Sequence, residues 1–272
     1  MDRRFRFGIL GGPSHSAAEW RQYARRVEDL GYSTLSVPDA LGFPAPLPTL
    51  AVAATATTAL RVGTFVLAST VREPRMAAWE ANSLTTLTDN RFEFGIGTGN
   101  PRMNQAAVDE IGLPSTTFTQ RLDRVRQTIT HLRELGAETP VLIAAGGPKS
   151  RALAGAVADI VTLPHGPFAT REEIDHMVAA TAEAAGSRAD QIEYNMNILV
   201  HGDAIPPWVV PLVGDDLDAL IKADSLLMLR GTPREIADEL QRRRDRFGSS
   251  YITVNGYHLE TFAPVVELLR DK

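Results

Sequence analysis

The feature that most limits what this chain can fold into is a rhythm. Eight short apolar runs return along it, with segments of helical periodicity between them. The runs are Phe5–Leu10, Ser33–Pro38, Arg61–Ala68, Phe92–Gly97, Pro140–Ala145, Ala158–Leu163, Glu193–Val200 and Tyr251–Asn255. Most are continuously apolar rather than alternating. Strands covered on both faces, as in a parallel sheet, have that pattern. After the first run, Trp20, Tyr23, Ala24, Val27 and Leu30 recur at helical spacing, with Ser16 and Glu19 as a capping box and Gly31 as the stop. Phe118, Leu122, Val125, Ile129 and Leu132 mark the buried face of a second helix that ends at Gly136. Thr232-Pro233-Arg234-Glu235 combines an N-cap, a proline in the first turn and a reciprocal glutamate. Val265, Val266 and Leu269 belong to a last helix.

Eightfold strand–helix alternation predicts a (β/α)8 TIM barrel, an α/β fold, as one domain over residues 1–272. A doubly wound open sheet is the competing fold, but no Gly-x-Gly-x-x-Gly follows the first run. The stretch Pro206–Arg230, with Pro206-Pro207, Pro211 and Gly214-Asp215-Asp216, reads as a loop with short helices.

Charge and composition narrow the function. The net charge is −5 and the basic residues are dispersed, so no nucleic-acid partner is expected. No apolar run reaches the roughly 18 residues of a membrane helix, and no signal peptide is expected at the start. There are no cysteines, which excludes disulfides, thiolate metal sites and a cysteine nucleophile, and fits a cytoplasmic location.

In a barrel the chemistry sits just after each strand. Two features fall there. Gly97 and Gly99 follow the fourth run and Gly146-Gly147 follow the fifth. Glycine lets backbone approach a ligand closely, and the amides that open a helix can hold a phosphate; tight turns alone would use the same residues. Four of the six histidines, His15, His165, His201 and His258, come one to five residues after a run. They are the candidate catalytic residues, as proton carriers on a shared rim; separate rim histidines without a role are the alternative. No spacing among them is a metal signature, and no Gly-x-Ser-x-Gly or Walker loop occurs.

Three blocks carry a family resemblance. The first is Arg61-Val62-Gly63-Thr64-Phe65-Val66-Leu67, continued by Arg72-Glu73-Pro74 and by Leu84 through Gly99. The second is Val141-Leu142-Ile143-Ala144-Ala145-Gly146-Gly147-Pro148, followed by Ala158-Asp159, and the third is Gly231-Thr232-Pro233-Arg234-Glu235-Ile236-Ala237. In order and spacing the chain resembles the bacterial-luciferase-like superfamily of flavin and deazaflavin oxidoreductases. The second block is more similar to the branch that uses coenzyme F420 than to the luciferases proper.

The resemblance implies a luciferase-like barrel with shortened insertion loops, since only a few residues separate Leu135 from Pro140. It implies a cofactor ring in the barrel mouth, backed by a bulge with a cis peptide at Phe65–Val66. The implied cofactor-binding residues are Asp39, Thr64, Phe65, Val66, Thr98, Gly99, Asn100, Gly146, Gly147 and Lys149. The tail phosphate would lie on Gly146 and Gly147, with Lys149 and Arg151 offsetting its charge. F420 is the expected cofactor and FMN the alternative; the partners are a small-molecule substrate and a second copy in a homodimer. Two departures stand out. Sugar-phosphate dehydrogenase relatives carry a catalytic histidine where this chain has Ala40, and a glutamate where it has Asn100. An F420-dependent oxidoreductase therefore leads, ahead of an FMN-dependent monooxygenase, a non-catalytic flavin-binding relative and a metal-dependent barrel hydrolase.

Overall fold

The computed structural model describes residues 3–12 and 16–272. His15, one of the expected rim histidines, lies outside the described residues.

The eight runs become eight parallel strands: β1 (Arg6–Leu10), β2 (Thr34–Val37), β3 (Arg61–Thr64, resumed at Leu67–Ala68), β4 (Phe92–Gly97), β5 (Val141–Ala144), β6 (Ile160–Thr162), β7 (Glu193–Ile198) and β8 (Ser249–Asn255). Each pairs with its neighbours in order, and β1 pairs with β8, so the sheet closes into a barrel with no free edge. Helices α1 (Ala17–Asp29), α2 (Pro46–Ala54), α3 (Pro74–Leu87), α4 (Phe118–Glu134), α5 (Pro148–Val157), α6 (Arg171–Ala185), α7 (Pro233–Phe247) and α8 (Leu259–Leu269) surround it. The expected capping boxes form at Ser16 with Glu19 and at Thr232 with Glu235, each serine or threonine hydroxyl accepting from the backbone amide three residues on. Gly31 ends the first helical turn of chain at φ +82°, a conformation that disfavours a side chain.

Strand β3 carries the expected bulge. From Val62 to Leu67 the chain advances five residues, while its partners Phe92 and Ile96 on β4 are four apart, so β3 holds one extra residue. The peptide Phe65–Val66 within that step is cis.

The barrel interior is layered. At the N-terminal end, Arg6 bonds Glu93 at 2.7 Å and Glu193 at 2.7 Å, and Arg61 bonds the same Glu93 at 2.7 Å. The Arg6 guanidinium also lies 3.6 Å over the Tyr251 ring. Burial, with the nearby Glu93 charge, pushes the Tyr251 hydroxyl up to about 12. A middle layer of Leu142, Ile160 and Tyr251 packs against Phe65 and Val66. Gly8 is glycine because a β-carbon there would meet the Tyr251 ring at 2.9 Å. Between strands and helices lies the larger core, which takes in Ile9, Leu35, Val62, Phe92, Phe94, Ile143, Val161, Ile252 and Val254.

Two parts differ from the sequence reading. A short helix, Pro101–Asp109, precedes α4. And the run Glu193–Val200 does not stay in the barrel: β7 stops at Ile198, and Val200–His201 pairs in parallel with Met228–Leu229. The expected short helices are there, at Val210–Val213 and Leu217–Lys222, but with this strand pair they form a side lobe around Val200, Val209, Val213, Leu220, Leu227 and Met228. The pairing joins residues far apart in sequence, which local periodicity does not report. Among the described residues no helix is long and apolar enough to cross a membrane.

Candidate active site at the barrel mouth

The C-terminal ends of the strands enclose a cavity of about 550 Å³. Its floor is the β3 bulge: Phe65, Val66 and Ala68 border it beside Gly97 of β4. Gly97 has to be small, since a β-carbon would stand 2.9 Å from the Val66 side chain. Beyond β4 the wall continues through Thr98, Gly99 and Asn100, with Gly99 at φ +71°. Gly146 and Gly147 form another edge, ahead of α5.

The expected residues divide. Asp39 borders the cavity, but its carboxylate is engaged: Arg72 binds it at 2.5 and 3.3 Å, and the Ala68 amide donates to it at 2.9 Å. It fixes the bulge rather than presenting a free edge to a ligand. Thr64 is buried and does not border the cavity; its hydroxyl donates to the Gly95 carbonyl at 2.6 Å. Lys149 is exposed on the first turn of α5 and does not border it either. Helical geometry turns that position outward, while Ser150 comes into the wall. Arg151 bonds the Gly146 carbonyl at 2.6 Å. The Gly147 amide donates to Ser150 Oγ at 3.1 Å, so anion binding at this edge would draw on the amides of the first turn of α5.

The histidines do not share one site. His165 borders the cavity, with Nδ1 2.8 Å from the Leu163 carbonyl. An imidazole nitrogen facing a carbonyl must carry the proton, so Nε2 is the bare acceptor, and it is buried with no partner among the described residues. Burial holds the ring below the usual histidine range, with the Arg243 charge adding to the effect. His201 and His258 pack outside the cavity, where the chain leaves the barrel for the side lobe. Their rings are 5.4 Å apart and perpendicular, and His201 also meets Phe262 at 5.2 Å. Burial, reinforced by His201, pushes His258 down to about 4.

Other wall residues were not foreseen. Phe118, read as core, is exposed at the start of α4 and borders the mouth. Asn195 and Asn197 enter from β7. Asn195 Nδ2 donates to Thr253 Oγ1 at 2.7 Å and to the Tyr251 carbonyl at 3.3 Å, which fixes the amide's orientation. Its Oδ1 accepts from nothing among the described residues. The signal was present: in Glu193-Tyr194-Asn195-Met196-Asn197 the polar residues alternate, as strand residues facing a polar interior do.

A closed parallel barrel whose mouth holds a cavity of about 550 Å³ over a bulged third strand defines a structural class, the (β/α)8 barrels. Comparison with known proteins narrows the class. The luciferase-like monooxygenase family model matches residues 4–138. An F420-dependent glucose-6-phosphate dehydrogenase of Intrasporangium calvum is 29% identical over 167 residues, 49% of this chain and 50% of the relative. A 5,10-methylenetetrahydromethanopterin reductase of Methanolobus tindarius is 25% identical over 69% of this chain and 62% of the relative. The chain thus spans about half to three-fifths of the length of these relatives. A solved F420-dependent secondary alcohol dehydrogenase, in complex with an F420-acetone adduct, shares the fold: TM-score 0.76 at 17% identity, covering 99% of this chain and 100% of that one. Over residues 4–138 the chain is thus similar to the luciferase-like monooxygenase family, and over its whole length it has the fold of that solved dehydrogenase.

Proposed function

We propose that this chain is an F420-dependent oxidoreductase that moves hydride between the deazaflavin and a small organic substrate. The observation that carries this reading is the cavity itself: about 550 Å³, floored by the apolar Phe65-Val66 bulge, with Gly146 and Gly147 at one edge. A planar ring fits such a floor. The F420 dependence of two of the relatives above supports the choice of cofactor.

When bound, the deazaflavin would supply the ring carbon that takes up or gives up hydride. The chain's own residues do the rest. Phe65 and Val66 would hold the ring, with the substrate at the open side of the cavity. Asp39 and Arg72, locked together, keep the bulge in place. His165, at the border of the cavity, would take up the proton of a substrate hydroxyl as it is oxidised, once its ring turns to bring the buried Nε2 to the substrate. That role replaces the histidine that the family has where Ala40 stands here. A homodimer, common in the superfamily, and a cytoplasmic location go with this reading.

Titrating the purified protein with F420 and with FMN tests it. Tighter binding of F420, followed by its reduction or reoxidation with organic substrates, is the expected result. Selective FMN binding with oxygen uptake by the reduced protein would replace it with a monooxygenase reading.

A further inference from the structure

We propose that the cavity has a second compartment, a chamber between β7 and α6 that takes the apolar chain of the substrate. Only the identity of that substrate rests on the oxidoreductase reading. Side chains on a strand alternate between its two faces. On β7, Asn195 faces the barrel interior, where it bonds Thr253, whereas Tyr194 and Met196 face the helices and belong to the outer core. One cavity borders Asn195 and Asn197 and also Tyr194 and Met196. It therefore reaches both faces of the same strand, passing from the mouth into the layer between sheet and helices.

In that layer its outer wall is Ile174 and Val178 of α6, and its far end is Ser249, which lies opposite Tyr194 in the β7–β8 register. Leu163 and His165 border it on the β6 side. From Leu199 at the mouth to Tyr194 the strand advances five residues, about 16 Å. The polar groups on and behind this wall are largely bound to one another, His165 Nε2 being the buried exception described above. The Tyr194 hydroxyl donates to the Val178 carbonyl at 3.3 Å. Arg243 donates to the Leu226 carbonyl at 2.8 Å, to the Met228 carbonyl at 3.1 Å and to Glu239 at 2.8 Å. Water in the chamber would find few partners, so an alkyl chain is its better occupant. Met196, unbranched and polarizable, adapts to chains of differing shape. The polar head of the same molecule would then lie at the mouth, near the floor formed by Phe65 and Val66.

The test is calorimetric binding of the 2-alkanones from 2-butanone to 2-decanone, each with and without F420. In the wild type, affinity should rise by about fourfold per methylene and level off when the chain reaches the far wall. Val178→Trp, which plugs the chamber from α6, should flatten the series. Met196→Ala, which deepens it, should move the plateau to longer ketones; an unfolding transition checks that each variant is folded. A wild-type series without dependence on chain length, or a folded Val178→Trp with the wild-type slope, would overturn the chamber. If the slope is present but F420 does not bind, the chamber stands and the cofactor reading falls.

Discussion

The two ends of the barrel interior are built by the same strands and treat their inward positions in opposite ways. At the N-terminal end those positions hold charge: Arg6 on β1, Arg61 on β3, Glu93 on β4 and Glu193 on β7, each bound to a partner within 3 Å. Two to four residues further along the same strands they hold Gly8, Gly97, Asn195 and Asn197. The closed end is a neutralised network under an aromatic ring. The open end is hollow, a cavity of about 550 Å³. The difference teaches where this fold keeps its stability and where it keeps room for chemistry: charges are paired at one end and space is left for a ligand at the other.

The sharpest way to break that contrast is to remove Glu93. Its side chain is only 6% exposed and it serves two arginines. Glu93→Ala should lower stability by about 3 kcal/mol, because it takes the carboxylate from Arg61 and leaves the half-buried Arg6 with Glu193 alone. Asn195→Ala at the mouth should change stability by no more than about 1 kcal/mol. Urea unfolding of both variants reads the difference, and similar midpoints would mean that the two ends are not specialised as described.

The next largest effect separates the charged floor from the rim histidines. His258 sits at about 4 when folded, against an ordinary value near 6.5, so below that ordinary value the unfolded chain binds the proton that the folded chain refuses. The stability this histidine lends is full above pH 6.5 and is lost as the pH falls towards 4, by up to roughly 3 kcal/mol. His258→Gln should flatten the change in melting temperature between pH 7 and pH 4.5. An unaltered slope would move the acid sensitivity to another group.

The smallest effect falls at the edge of the cavity. A β-carbon on Gly146 would lie 3.5 Å from the Pro164 carbonyl, an ordinary contact, so Gly146→Val should fold. F420 affinity should nevertheless fall by about tenfold, roughly 1.4 kcal/mol, because backbone at that edge can no longer approach the tail closely. Equal affinity for both proteins, by fluorescence titration, would remove this edge from the site.

Much of the fold was legible before any coordinates. All eight runs contain the strands, within a few residues, because buried parallel strands and amphipathic helices write their periods locally. Capping boxes and stop glycines were readable for the same reason: each is an exchange within a few residues of chain. The bulge at Phe65–Val66 was legible only through family likeness. The site was read less well. Position after a strand brought His165, Gly99 and Asn100 to the mouth, yet the same rule put His201 and His258 there as well. His201 follows the chain out to the side lobe, where it packs against Phe262 and against His258 on the turn after β8.

The sequence by itself determined the order of elements, their boundaries and the glycines that hold turns, since these depend on short-range sterics and on alternation of polarity. Only the tertiary structure decided which ends of those elements converge. It paired Asp39 with Arg72 across 33 residues, and Arg6 with Glu193 across 187. It also opened one cavity to both faces of β7. Barrel closure and the side-lobe pairing set these distances, and they are sums over many weak contacts between distant segments, which leave no mark in any one stretch of chain.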